Sequence, residues 1–120
     1  MKTVLVVEDD ANLRRIVRAL LEREGFLVRE AEDGQQGLES ALAASPDCIV
    51  TDAMMPRLGG LEMLLALRER CPDRAVPALF VTAASQVPEP AEQARAGIVG
   101  VVTKPFDFDR LVAAVRRAAG

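Results

Sequence analysis

Histidine, tryptophan and tyrosine do not occur anywhere in this chain. Without histidine it can neither run imidazole acid–base chemistry nor carry a phosphoryl group on an imidazole of its own. Its aromatic side chains are four phenylalanines, which offer no stacking platform for nucleobases. Lysine is nearly missing too: of 15 cationic residues only Lys2 and Lys104 are lysines, so a lysine here is not routine surface filler. The two cysteines, Cys48 and Cys71, have neither metal-site spacing nor the density of a disulfide scaffold. Both are expected as filler in or near the core of a reduced, cytoplasmic chain. No apolar stretch approaches the roughly 20 residues of a membrane helix. The start, MKTVLVVEDD, runs from a short apolar segment straight into acids, unlike a secretory signal, so no membrane association is expected. The net charge of −3 comes from 15 basic and 18 acidic residues, interspersed without a basic stripe. That argues against direct nucleic acid binding by this domain.

What is present is 120 residues, half of them hydrophobic, enough for one core and one domain over 1–120. The apolar pattern alternates between two periods. TVLVV (3–7) is a continuous run, as in a strand buried on both faces. Leu13, Ile16, Val17, Leu20 and Leu21 then recur at helical spacing until Gly25. FLVREA (26–31) reads as a more polar edge strand. Gly37, Leu38, Ala41 and Leu42 sit on a short helix stopped by Pro46. CIVT (48–51) is a third strand, and Leu61, Leu64, Leu65 and Leu67 belong to a helix ending near Cys71-Pro72. ALFVT (78–82) and VGVVT (99–103) are further strands. Phe108, Leu111, Val112 and Val115 give the last helix, with Asp107 as its cap. Between Thr82 and Gly97, Pro88 and Pro90 allow a helix to start only near Pro90. A short helix behind a mobile loop is expected there. Strands alternating with helices predict a parallel sheet covered on both faces.

In such sheets functional groups collect at the carboxyl edge. The first strand ends in Glu8-Asp9-Asp10, the third in Asp52, the fourth in Thr82, the fifth in Thr103-Lys104-Pro105. Together these ends bring carboxylates, a hydroxyl and an ammonium around one point. Crowded carboxylates need a cation among them, and hard oxygen ligands suit magnesium, the usual partner of phosphate oxygens. A carboxylate can also be the nucleophile that accepts a phosphoryl group. Each piece alone has a plainer reading: a helix cap, or a surface lysine lying along apolar surface. The combination is what is specific, since four strands place the right group at one edge.

Those residues carry a resemblance that spans essentially the whole chain. LVVEDD, Asp52-x-x-Met55-Pro56-x-x-x-Gly60, Thr82-Ala83 and Lys104-Pro105-Phe106 resemble the receiver domain of two-component response regulators, in order and spacing. The opening through Gly25-Phe26 is especially similar to chemotaxis members. The resemblance implies a flavodoxin-like, doubly wound five-stranded parallel sheet in order 2-1-3-4-5 with helices on both faces. It implies Asp52 as phosphoacceptor, and Mg²⁺ held by Glu8, Asp9, Asp52 and the Met54 backbone carbonyl. Thr82 and Lys104 would contact phosphoryl oxygens, and the Lys104–Pro105 bond would be cis. The donor would be a phosphohistidine on a histidine kinase or phosphotransfer protein. A downstream protein target or attached output domain would read the switch, and a phosphorylation-dependent dimer is a further expected partner form. Donor docking would involve Ala11, Arg14 and Arg18 on the first helix, with Pro105 and Phe106.

The sequence departs from the family's pattern on the output side. Val101 stands where an aromatic switch residue is common, so switching is expected through residues 84–104 with Val101 and Pro105 taking part. Gly59 stands where Asp is common, making Gly59-Gly60 a flexible start to the third helix. The competing reading is a receiver-like docking or dimerisation module that no longer switches. A nucleotide-binding enzyme would need glycine-rich phosphate loops that are missing. A haloacid-dehalogenase-type phosphatase would need an Asp where Met54 stands.

Overall fold

The computed structural model describes residues 1–55 and 57–120; Pro56, part of the Met55-Pro56 motif, lies outside the described residues. Five strands, β1 (Thr3–Val7), β2 (Leu27–Ala31), β3 (Cys48–Thr51), β4 (Ala78–Ala83) and β5 (Ile98–Lys104), form one sheet in the order β2-β1-β3-β4-β5. All pairings are parallel, as the alternation of strand and helix predicts. The helices are α1 (Ala11–Arg23), α2 (Gly34–Ala43), α3 (Gly60–Arg70), α4 (Pro90–Ala96) and α5 (Phe108–Ala119).

Strand alternation divides the core in two. Val4 and Val6 of β1 point to one face, where they meet Val17 and Leu21 of α1 and Leu111 and Val115 of α5. Leu5 and Val7 point to the other, against Leu38 of α2, Met63, Leu64 and Leu67 of α3 and Ala96 of α4. β1 must therefore be apolar at every position, which is why TVLVV does not alternate. β2 lies at the edge, as its polar character predicts.

The helix boundaries follow local chemistry. Asp10 caps α1 by accepting from the Asn12 and Leu13 amides, Asp33 caps α2 through the Gln36 amide, and Asp107 caps α5 through the Asp109 amide. α4 begins at Pro90 and lasts seven residues before Gly97, at φ +77°, ends it. The segment before it holds a single 3₁₀ turn, Ala84–Gln86. No helix among the described residues is long and apolar enough to cross a membrane.

The Gly59-Gly60 pair also has a steric role. Gly60 lies in ordinary helical backbone as the first residue of α3; a Cβ there would stand 2.1 Å from the Asp52 carbonyl oxygen. The glycine is needed for close approach of the helix to the end of β3.

Both cysteines are free, Cys48 wholly buried in β3 and Cys71 partly exposed after α3. Burial, with the charge of Asp47 adding to it, pushes the Cys48 thiol up to about 12. An aromatic disulfide reagent at pH 8 should therefore modify Cys71 in the native protein and reach Cys48 only on unfolding. Equal native reaction rates at the two thiols would contradict this packing.

Candidate functional site

The carboxyl edge of the sheet is assembled by its register. Val7 pairs with Thr51, so Glu8 and Asp52, the residues following each, emerge side by side. The Glu8 amide donates to the Ala31 carbonyl at 3.1 Å, and the Asp52 amide to the Val7 carbonyl at 3.3 Å. On the other side Thr82 pairs with Thr103 and Ala83 with Lys104. Thr82 is buried, and Lys104 reaches across to the centre.

There the Lys104 Nζ stands 2.7 Å from Asp52 Oδ2 and 3.5 Å from Glu8 Oε1. Residues 52 positions apart in the chain are thus in direct ionic contact. The other Asp52 oxygen, Oδ1, accepts from the Met54 amide at 3.4 Å. Behind it the Thr51 hydroxyl donates to the Asp52 carbonyl at 2.9 Å. The cation demanded by a crowd of carboxylates is supplied by the chain's own lysine.

The charges respond to this arrangement. Burial pushes the Glu8 carboxyl upward; the Asp10 amide and the Lys104 charge pull the other way without cancelling it. For Lys104, burial alone would lower the ammonium. The hydrogen bond to Asp52 and the charges of Glu8 and Asp52 outweigh burial, so the net direction is upward. The ammonium therefore stays charged while acids press on it from two sides.

Asp9 is exposed and lines a surface depression with Ala11, Arg14, Glu32, Asp33 and Arg57. Among the described residues, no group of three or more His, Cys, Asp or Glu is gathered as a closed metal centre. Glu8 Oε2 accepts from the Asp10 amide and Oε1 faces Lys104. Asp9 is the exposed hard donor beside them, and Asp52, 12% exposed in its side chain, is shared between Lys104 and the Met54 amide. This set fits magnesium, which binds through one or two carboxylates and keeps several waters, better than an ion needing an all-protein cage.

The docking expectation is corrected at one residue. Arg14 is buried: its Nε donates to Glu30 Oε1 at 2.8 Å and its Nη1 to the Glu8 carbonyl at 2.8 Å. A guanidinium held this way cannot be an exposed docking cation. Arg18 is 42% exposed in its side chain and bridges Glu30 at 2.6 Å and Glu22 at 3.1 Å. The hydrogen bond from Arg18 holds the Glu30 carboxyl below the usual range, with Arg14 adding to it. Glu30 was missed by sequence reasoning, which took FLVREA only as an edge strand. Ala11 and Phe106 are partly exposed, and Pro105 is exposed. Phe106 packs edge-on against Phe108, with ring centroids 5.5 Å apart. The Lys104–Pro105 peptide is cis. Val101 is partly buried against the α2–α4 side of the core.

Fold and site define a class: a doubly wound α/β domain with a lysine-bridged acidic pocket at the carboxyl edge of its sheet. The sequence profile of the response regulator receiver domain matches residues 4–116, and the chain belongs to that family. It is 34% identical over 113 residues to the transcriptional regulatory protein ResD of Bacillus subtilis, covering 94% of this chain and 46% of ResD. It is also 34% identical over 116 residues to the response regulator ArlR of Staphylococcus saprophyticus, covering 97% and 51%. The chain thus spans about half the length of the curated relatives it matches. Among solved structures, the receiver domain of the Francisella response regulator 1452 superposes with a TM-score of 0.88 at 28% identity, covering 99% of this chain and 97% of that one. The chemotaxis protein CheY4 of Vibrio cholerae superposes with a TM-score of 0.86 at 30% identity, covering 98% of each chain. Response regulators act in two-component signalling, receiving phosphate from histidine kinases, and receiver domains generally use Mg²⁺ for it.

Proposed function

We propose that this domain, 1–120, is a phosphoacceptor switch in which Asp52 takes a phosphoryl group from a phosphohistidine of a partner kinase or phosphotransfer protein. A carboxylate oxygen of Asp52 attacks phosphorus in line, forming an O–P bond. The P–N bond of the donor breaks, and its electron pair leaves on the imidazole nitrogen. Such transfer needs positioning and charge neutralisation more than acid–base groups. The observation that carries the reading is the 2.7 Å contact between Lys104 Nζ and Asp52 Oδ2. An ammonium already beside the attacking carboxylate is well placed to meet negative charge on the phosphoryl oxygens. The Thr82 hydroxyl, buried at the end of β4, is the second donor to those oxygens.

Glu8, Asp9, Asp52 and the Met54 carbonyl would hold Mg²⁺, which supplies neutralisation of the phosphoryl oxygens. Hydrolysis of the aspartyl phosphate by water resets the domain. Its product is a population shift between two conformations, and output runs through residues 84–104, with Val101 and Pro105, rather than through an aromatic gate. Donor docking falls to Ala11, Arg18, Pro105 and Phe106, and a downstream target, attached output domain or second copy reads the shifted state.

The test is amide NMR with Mg²⁺ and beryllofluoride, a mimic of the phosphoryl group. Wild type should show shifts around Asp52 and Thr82 that extend along 84–104, and Asp52→Asn should show none. An unmoved wild type would favour a docking module. Shifts on another face, with 84–97 still, would overturn the output assignment.

A further inference from the structure

The acidic loop between β1 and α1 carries Glu8 and Asp9, and what fixes its main chain is unusual in being a buried cation. The Glu8 amide is tied to Ala31 in β2 at 3.1 Å. Its carbonyl is tied to Arg14 Nη1 at 2.8 Å. Glu8 is therefore held on both sides of its Cα, and the peptide leading into Asp9, whose orientation decides where the Asp9 carboxylate can go, is held through its carbonyl by Arg14. Arg14 is itself aimed by Glu30, whose Oε1 accepts from Nε at 2.8 Å while Oε2 is gripped by Arg18 at 2.6 Å. Glu30 stands in β2 opposite Val6, two residues before Glu8, so this brace crosses from the sheet edge to the loop. Arg14 Nη2 also lies 4.0 Å from Glu32 Oε1. Only a forked group can satisfy Glu30 and the Glu8 carbonyl at once.

We propose that Arg14 is a positioning residue: by orienting the Glu8–Asp9 peptide it sets the affinity of the acidic pocket for Mg²⁺. The inference rests on the phosphoacceptor reading. Groups that orient metal ligands without touching the metal change affinity by about 10- to 100-fold when removed. The test follows amide shifts of Glu8, Asp9 and Asp52 during Mg²⁺ titration of wild type, Arg14→Lys and Glu30→Gln, beside urea unfolding of each. Glu30→Gln keeps an oxygen acceptor and is the gentler variant should Arg14→Lys fold poorly. Both are expected to raise the Mg²⁺ midpoint about tenfold, with the acetyl phosphate rate largely recovered at saturating Mg²⁺. Folded variants whose Mg²⁺ midpoints match wild type, even with weakened stability, overturn the proposal and leave Arg14 a structural brace. A wild type that does not respond to Mg²⁺ overturns the phosphoacceptor reading along with it.

Discussion

Replacing Lys104 by methionine should slow phosphorylation of the domain by acetyl phosphate about 10²- to 10³-fold, the usual cost of losing one preorganised group that meets developing charge. Methionine keeps the length and apolar stem of lysine, so the change is one of charge. Asp52 would lose the cation 2.7 Å from its Oδ2, and Glu8 its neighbour at 3.5 Å. The lysine side chain is 32% exposed, so water would partly replace it and the fold should survive. Stability should consequently change far less than rate, which a thermal unfolding curve beside the phosphorylation time course would show. Lys104→Arg should not restore the rate, because a planar fork cannot occupy the place of a compact ammonium between two carboxylates. A rate within a few-fold of wild type in Lys104→Met would remove the lysine from the chemistry.

The largest effect on stability is expected at Phe80. This ring is fully buried in β4, paired in register with Thr51 on one side and Val101 on the other. It packs among Leu5, Val7, Met63 and Leu64 on the α2–α4 side of the sheet. Phe80→Ala should cost about 3–5 kcal/mol through lost burial and the cavity left behind, a large share of the roughly 5–15 kcal/mol that holds a domain together. Phe108, 41% exposed at the start of α5, is the internal comparison. Phe108→Ala should cost less than about 1 kcal/mol, as exposed substitutions commonly do. Urea unfolding of both variants measures the difference; similar midpoints would contradict the burial of Phe80 in the core.

The sheet was legible in the sequence for a physical reason. A strand covered on both faces must be apolar throughout, so TVLVV, CIVT and ALFVT announce themselves without help from their neighbours. The start of α4 was legible from Pro90, since proline fits a first helical turn and little else in a helix. The pocket was legible in outline because strand ends carry their functional residues to a common edge. What periodicity could not give was the far partner of a charge. Arg14 stands at helical spacing from Val17 and Leu21, on the buried side of α1, and that spacing was the available signal. Its partner Glu30 belongs to another strand, so Arg14 read as a solvated docking residue. Asp10, read within the acidic cluster, is the cap of α1. The close approach at Gly60 was not legible because the carbonyl it makes room for lies in a different element.

The most direct measurement is to locate the covalent phosphate itself. Wild-type protein treated with acetyl phosphate and Mg²⁺ should gain one phosphoryl group by intact mass. Borohydride reduction of that acyl phosphate should then convert residue 52 to homoserine in the peptide map, and Asp52→Asn should yield neither product. Homoserine at position 9, 2-amino-5-hydroxypentanoic acid at position 8, or an equal adduct on Asp52→Asn would contradict the account.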